Sequence, residues 1–221
     1  MPFPLIPVII GAVILVASIA APKVVKEIRK ALKDKTVAIL GRQEVGKSTL
    51  LHFLKEGKIP DRRTRTPDPL PGGEFTLQVP GKGEAKFSVP QDLPGHTIPA
   101  YKDWRAAFES ADFVWYLFRA DRIVNDDASE ISLVKEHLAH LEAWYEELQS
   151  KNGVPKVILV GVFADQDESY GEDGSFEERV RNSPLVSHSS TKLGRADIVV
   201  GSQASKEDAE KLVERIKRYL K

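Results

Sequence analysis

The sequence predicts an α/β fold: a mostly parallel six-stranded sheet, covered by helices on both faces, with one antiparallel edge strand. Two observations carry this. Short, β-branched apolar runs alternate with longer segments whose apolar residues recur at helical spacing, the pattern of a parallel sheet wrapped by crossover helices. One turn, Pro80-Gly-Lys-Gly83, instead joins two strand-like runs directly and sets an antiparallel pair at the edge.

The elements follow in order. Residues 35–40 (KTVAIL) read as a buried strand, and 47–57 as a helix. Residues 59–72, rich in Pro, Arg and Gly, read as loop. Residues 74–79 and 85–89 are the hairpin strands. Residues 100–111 read as helix and 112–118 as a buried strand, with Trp115 and Tyr116 as core aromatics. A long helix is expected over 127–150. Ile131, Val134, Leu138, Leu141, Tyr145 and Leu148 keep one face of it, and Gly153 and Pro155 lie beyond its end. Trp144 and Tyr145 read as core. His137 and His140, beside Glu136, read as a solvated helix face, because no further ligand cluster accompanies them. Residues 156–162 form another apolar strand. Residues 166–195 are polar without a clear period, and the acidic stretch 165–178 reads as a solvated loop. Residues 198–200 are a last short strand. A final helix over 205–221 carries the stripe Ala209, Leu212, Val213, Ile216 and Leu220, with Ser205 and Asp208 as its capping box.

Ahead of this domain lies an apolar N-terminus. Residues 1–22 contain no charged side chain, and only Ser18 interrupts the nineteen-residue run 3–21. As a helix that run is about 28 Å long, enough to cross a bilayer core. Lys23, Lys26, Arg29, Lys30, Lys33 and Lys35 follow it, against Glu27 and Asp34. Positive flanks stay in the cytoplasm, so the domain is expected to face that side. A cleaved signal peptide would need a basic stretch before the run, and there is none, although Ser18-Ile-Ala20 offers small residues for cleavage. The expected organisation is a single-pass transmembrane anchor (1–22), a basic juxtamembrane helix or linker (23–34) and one α/β domain (35–221). The chain has 32 basic and 32 acidic residues, a balance that gives no case for nucleic-acid binding. It has no cysteine, which excludes disulfides, palmitoylation and a prenylation box.

The chemistry is carried by Gly41-Arg-Gln-Glu-Val-Gly-Lys-Ser48, which fits G-x-x-x-x-G-K-[ST] without a mismatch, between a strand and a helix. Glycines let backbone N–H groups wrap a polyphosphate, and the following helix adds its positive end. Gly41, Gln43, Glu44, Val45, Gly46, Lys47, Ser48 and Thr49 are therefore the candidate nucleotide contacts. Lys47 would supply a cation to the β- and γ-phosphates, and Ser48 a hydroxyl to Mg²⁺.

Downstream, Asp92-Leu-Pro-Gly95 matches D-x-x-G just after the hairpin's second strand, and Thr66 lies nineteen residues after Lys47, with Thr64 the competing choice. On these residues, 35–221 resembles the Ras-like small GTPases, a branch of the three-layer P-loop NTPases. An anchor before such a domain is similar to the signal-recognition-particle receptor β-subunit, with Arf-like and MglA-like GTPases as the broader neighbourhood. The resemblance implies GTP or GDP with Mg²⁺ as ligands. Ser48, Thr66 and Asp92 would serve the metal, and the Gly95 N–H the γ-phosphate. The family reads guanine with N-K-x-D. Here Val162-Phe-Ala-Asp165 stands in that register, so Asp165 is kept while Val162 and Phe163 depart from the pattern. Shifted by two, Asp167 is a second candidate. Ser202 and Gln203 loosely resemble the loop whose backbone N–H meets the guanine oxygen; a helix-capping turn predicts the same residues. His96 occupies the water-orienting position, or is a solvated loop histidine. Arg63, three residues before Thr66, is similar to a built-in catalytic arginine, though a basic loop facing lipid or a partner is the preferred reading.

The implied function is a membrane-anchored GTP-binding switch with slow hydrolysis that recruits a protein effector. The alternatives are a non-hydrolysing GTP-bound docking subunit and, third, an ATPase or nucleotide kinase.

Overall fold

The computed structural model describes residues 35–60, 70–93, 98–150, 153–171 and 173–220. The expected anchor and juxtamembrane segment, residues 1–34, lie outside the described residues. Among those described, no helix is long and apolar enough to cross a membrane.

Six strands form one sheet: β1 (Lys35–Gly41), β2 (Leu70–Val79), β3 (Gly83–Asp92), β4 (Phe113–Arg119), β5 (Lys156–Val162) and β6 (Asp197–Val200). Their spatial order is β2-β3-β1-β4-β5-β6. Every neighbouring pair is parallel except β2 with β3, so the antiparallel edge is where the turn at 80–83 predicts it. The strands β2 and β3 are longer than the apolar pattern suggests, running through Pro71 and Pro90.

The helices are α1 (Lys47–Glu56), α2 (Ile98–Ser110), α3 (Ala120–Val124), α4 (Ala128–Gln149), α5 (Ser175–Asn182), α6 (Pro184–Lys192) and α7 (Lys206–Lys217). Alternation along β1 splits the core into two layers. Val37 and Ile39 face one side with α1 and α7 residues such as Phe53, Leu212 and Ile216. Ala38 and Leu40 face the other with Phe108 of α2, Leu138 and Leu141 of α4, and Phe176 of α5. The result is a three-layer arrangement with apolar residues on both faces of the sheet, as parallel strands require.

The helix ends have identifiable caps. The Asp127 carboxylate accepts from the Ser129 and Glu130 backbone N–H groups at 2.9 and 3.1 Å, starting α4. Ser205 accepts from the Asp208 N–H at 3.1 Å, so the expected capping residue does start α7. Gly57, left-handed at φ 67°, closes α1 by donating to the Phe53 carbonyl.

Two expectations are corrected here. The polar stretch 166–195 contains α5 and α6, and the acidic stretch 165–178 is not all loop, since α5 begins at Ser175. Phe176, Val180 and Val186 are buried, and these few apolar anchors suffice to fix both helices. The short helix α3, directly after β4, has no signal in the sequence strong enough to predict it.

The chain leaves β1 towards β2 and β3 on one side, then crosses to β4 on the other. The carboxyl end of β1 is therefore the point where strand order reverses, the place where open α/β sheets have a crevice.

Candidate functional site

The loop 41–48 leaves β1 at that crevice. Gly41 has φ 143°, and a Cβ there would run into the carbonyl oxygen of Leu117 on β4. Gly46, at φ 93°, is the N-cap of α1 and has no side chain with which to cap the first helical N–H groups. Both positions demand glycine. Glu44 between them is also left-handed, at φ 61°. The loop thus curls tightly and turns directly into a helix N-terminus.

Lys47 is the first residue of that helix and is only 6% exposed. Its ammonium donates to the carbonyls of Gly41 and Arg42, both at 2.9 Å, and so spans the mouth of the loop. Burial pushes its pKa down to about 8, and the Asp92 carboxylate opposes that shift. Asp92 is the last residue of β3, the strand next to β1, and is 8% exposed. The fold therefore brings the expected cation and the expected acid to one end of the sheet.

Two further loops border the crevice, after β5 and after β6. The Gly201 N–H donates to the Gly161 carbonyl at 2.9 Å and the Ala164 N–H to the Gly201 carbonyl at 3.2 Å, tying them together. The Ser202 hydroxyl donates to the Asp165 carboxylate through a short hydrogen bond, and accepts from the Ala204 N–H at 2.9 Å. Asp165 is exposed at the rim. Asp167 is engaged elsewhere. It accepts from the Ser169 N–H at 2.9 Å and from Asn125 at 3.0 Å, with Arg179 at 3.6 Å. Its hydrogen bonds with Ser169, foremost, hold its pKa below the ordinary carboxylate value. Of the two candidate acids, only Asp165 pairs with Ser202.

Several residues around the loop have no signature in the sequence. Arg42 forms an ion pair with Glu130, whose side chain is fully buried at the start of α4. Glu130 lies three residues after the cap Asp127, and the fold turns its side chain towards the loop. The Arg119 guanidinium bonds Asp121 at 2.8 Å and lies 4.0 Å from the centroid of the Phe163 ring. Phe163 is left-handed at φ 61°, an uncommon conformation for an aromatic residue. The Gln203 side chain is buried beside Gly46. A Cβ on Gly46 would lie 2.9 Å from its Oε1.

The solvated reading of His137 is corrected. It is 2% exposed, and its Nδ1 lies 3.0 Å from the Tyr116 hydroxyl. Burial, the largest cause, pushes its pKa down to about 4, so the imidazole is neutral at physiological pH. His140 packs against the Tyr101 and Trp144 rings, with centroids 4.4 and 5.8 Å away. Among the described residues, no group of three or more His, Cys, Asp or Glu could hold a metal ion.

The structure thus gathers residues 41–49, Asp92, Asp165, Ser202 and Gln203 around the carboxyl ends of the strands. Arg63, Thr66, Gly95 and His96 lie outside the described residues. No protein-family model and no curated protein matches this chain.

Proposed function

We propose that this chain is a membrane-anchored guanine-nucleotide-binding protein of the Ras-like type, with slow GTP hydrolysis as its reaction. One juxtaposition carries the reading. The G-x-x-x-x-G-K-S loop closes the central strand β1, and Asp92 of D-x-x-G closes the adjacent β3, with its carboxylate acting on the Lys47 ammonium. A backbone cradle with a cation, and an acid one strand away, is what a magnesium nucleotide requires. The strand order, with the loop at its reversal point, supports the same reading.

The donor set suits Mg²⁺. Ser48 and Asp92 are hard oxygen donors and few in number, and Mg²⁺ favours sites where it keeps water and phosphate oxygens. When bound, the ion neutralises charge on the phosphates. Asp165 supports guanine. An ionised carboxylate accepts from both the N1–H and the exocyclic amine, and adenine has no such donor pair. The Ser202 hydroxyl holds that carboxylate in place. Phe163, with Arg119 on one face of its ring, stands where the family has a lysine and supplies an aromatic surface for the base. The apolar run 3–21 and its basic flank support attachment to a membrane with the domain on the cytoplasmic side.

Calorimetric titration of the full chain in mild detergent tests this. GTP and GDP with Mg²⁺ are expected to bind, and ATP much more weakly. Equal affinity for ATP rejects the guanine assignment, and no binding of any nucleotide rejects the reading altogether. The altered base motif also favours a docking subunit that holds GTP without hydrolysing it. Single-turnover hydrolysis by the unmodified protein and by His96→Ala separates the two: a measurable rate that the variant slows identifies a GTPase.

A further inference from the structure

We infer that the Gln203 side chain is a phosphate-binding group of the nucleotide site, donating a hydrogen bond from Nε2 to a phosphate oxygen held at Gly46. This rests on the nucleotide-binding reading and goes beyond it, because the family resemblance assigns only a backbone N–H to this loop.

The first observation is burial without a partner. Gln203 is 8% exposed, and among the described residues neither its Oε1 nor its Nε2 has a hydrogen-bond partner. A buried amide left in that state is destabilising, so such groups are uncommon and call for an explanation. The second is its aim. The carboxamide lies over Gly46, with Oε1 at 2.9 Å and Nε2 at 3.6 Å from where a Cβ would stand. Gly46 joins the loop to the N-terminus of α1, where backbone N–H groups and the helix dipole favour an anion. The third is support. The preceding residue, Ser202, is fixed by its bonds to Asp165 and Ala204, so residue 203 leaves a rigid turn.

The chemistry then selects the ligand atom. A phosphate oxygen only accepts, so it takes the NH₂ side of the amide, and the flat carboxamide can turn either edge to it. Nε2 is a neutral donor, so it adds direction without adding positive charge to a loop that already carries the Lys47 ammonium. A nucleoside diphosphate or triphosphate satisfies it; a nucleoside does not.

The test uses the full chain in mild detergent, with Gln203→Leu and Gln203→Glu. Gln203→Leu keeps the bulk and removes the donor; Gln203→Glu keeps the shape and adds a negative charge. For GDP with Mg²⁺, Gln203→Leu is expected to weaken affinity roughly tenfold, the effect of one hydrogen bond to a charged acceptor, and Gln203→Glu more. Inorganic pyrophosphate should lose affinity in parallel, whereas guanosine should not respond. Thermal unfolding without ligand adds a second measurement. Replacing an unpartnered amide by an apolar group should leave the Tm equal or higher, while the Tm rise caused by GDP shrinks. Unchanged GDP and pyrophosphate affinity in both variants overturns the inference. So does tighter binding by Gln203→Leu, which would make the side chain an obstruction. If the unmodified protein binds neither nucleotide nor pyrophosphate, the underlying reading fails; if it binds and the variants bind equally, only this inference does.

Discussion

Raising the pH should weaken nucleotide binding over a defined window, because Lys47 loses its proton near pH 8 in the free protein. The pKa is pushed down from 10.5 to about 8 by burial. A bound polyphosphate places several negative charges beside the ammonium, so the pKa rises in the complex and binding takes up a proton above pH 8. At pH 7 about nine-tenths of the free protein carries the charge; at pH 9 about one-tenth does. GDP affinity should therefore fall about tenfold from pH 7 to pH 9. Folding stability should move the other way. The folded pKa lies below the unfolded one, so the unfolded chain binds more protons between pH 8 and 10.5. Lys47 then adds stability with rising pH, by about 3 kcal/mol once both states are neutral. Tyr101, raised to about 12 by burial and Glu136, titrates above that window in the folded state; its contribution is lost above pH 10. The assay is GDP calorimetry from pH 6.5 to 9.5 in buffers of differing ionisation enthalpy. It reports both affinity and protons taken up. An affinity independent of pH across 7–9, with no proton uptake, would refute the reasoning about Lys47.

Other substitutions test the remaining parts of the site. Arg42→Met leaves the fully buried Glu130 carboxylate with a backbone N–H, that of Arg119 at 3.4 Å, in place of its ion-pair partner and should destabilise the domain by about 3–5 kcal/mol, lowering Tm by roughly 6–20 °C; Arg42→Met with Glu130→Leu should recover most of that loss, as thermal unfolding will show. Asp165→Asn should weaken GTP binding and improve binding of xanthosine triphosphate, whose 2-oxo group accepts from the amide, and Asp167→Asn should do neither; the reverse order by competition titration would move base reading to Asp167. Leu15→Arg should impair membrane insertion by about 2.5–3.5 kcal/mol, whereas the unmodified chain should resist carbonate extraction; recovery of the unmodified chain in the soluble fraction would defeat the anchor.

What the sequence reveals follows from how each contact is specified. The run 156–162 is legible residue for residue, because a strand buried on both faces must be continuously apolar. The helix α4 is legible from its period, but the histidine within it is not. Val134, His137, Leu138, Leu141 and Trp144 share one buried face, so position rather than residue type decides where His137 lies. The hairpin strands are cut short in the sequence reading because Pro71, Gly72, Gly73 and Pro90 resemble breakers. In the edge pair they are tolerated: Pro71 lies on the edge strand β2, opposite Gln91, and Pro90 lies on β3 past Phe87 and Ser88, the residues that pair with β1; the glycines keep their N–H donors. The loop 41–48 is legible because its pattern lies in consecutive residues. Arg42 and Glu130, 88 positions apart, and Arg119 with Phe163 become neighbours only when the sheet assembles. Helices α5 and α6 escape notice because a few buried side chains fix them among many charged ones.

The Arg42–Glu130 pair bears on when the loop gives up its freedom. A glycine-bearing loop of this length has many conformations in the unfolded chain, and each ordered residue forfeits about 1–2 kcal/mol of backbone entropy. A buried carboxylate anchored on a 22-residue helix grips the loop's second residue, and Lys47 ties its first two carbonyls to its far end. That entropy is lost as the domain folds, so on the proposed function a nucleotide would meet a cradle already shaped. Binding to such a cradle is limited by encounter rather than by rearrangement, and affinity is expressed mainly in how slowly the ligand leaves.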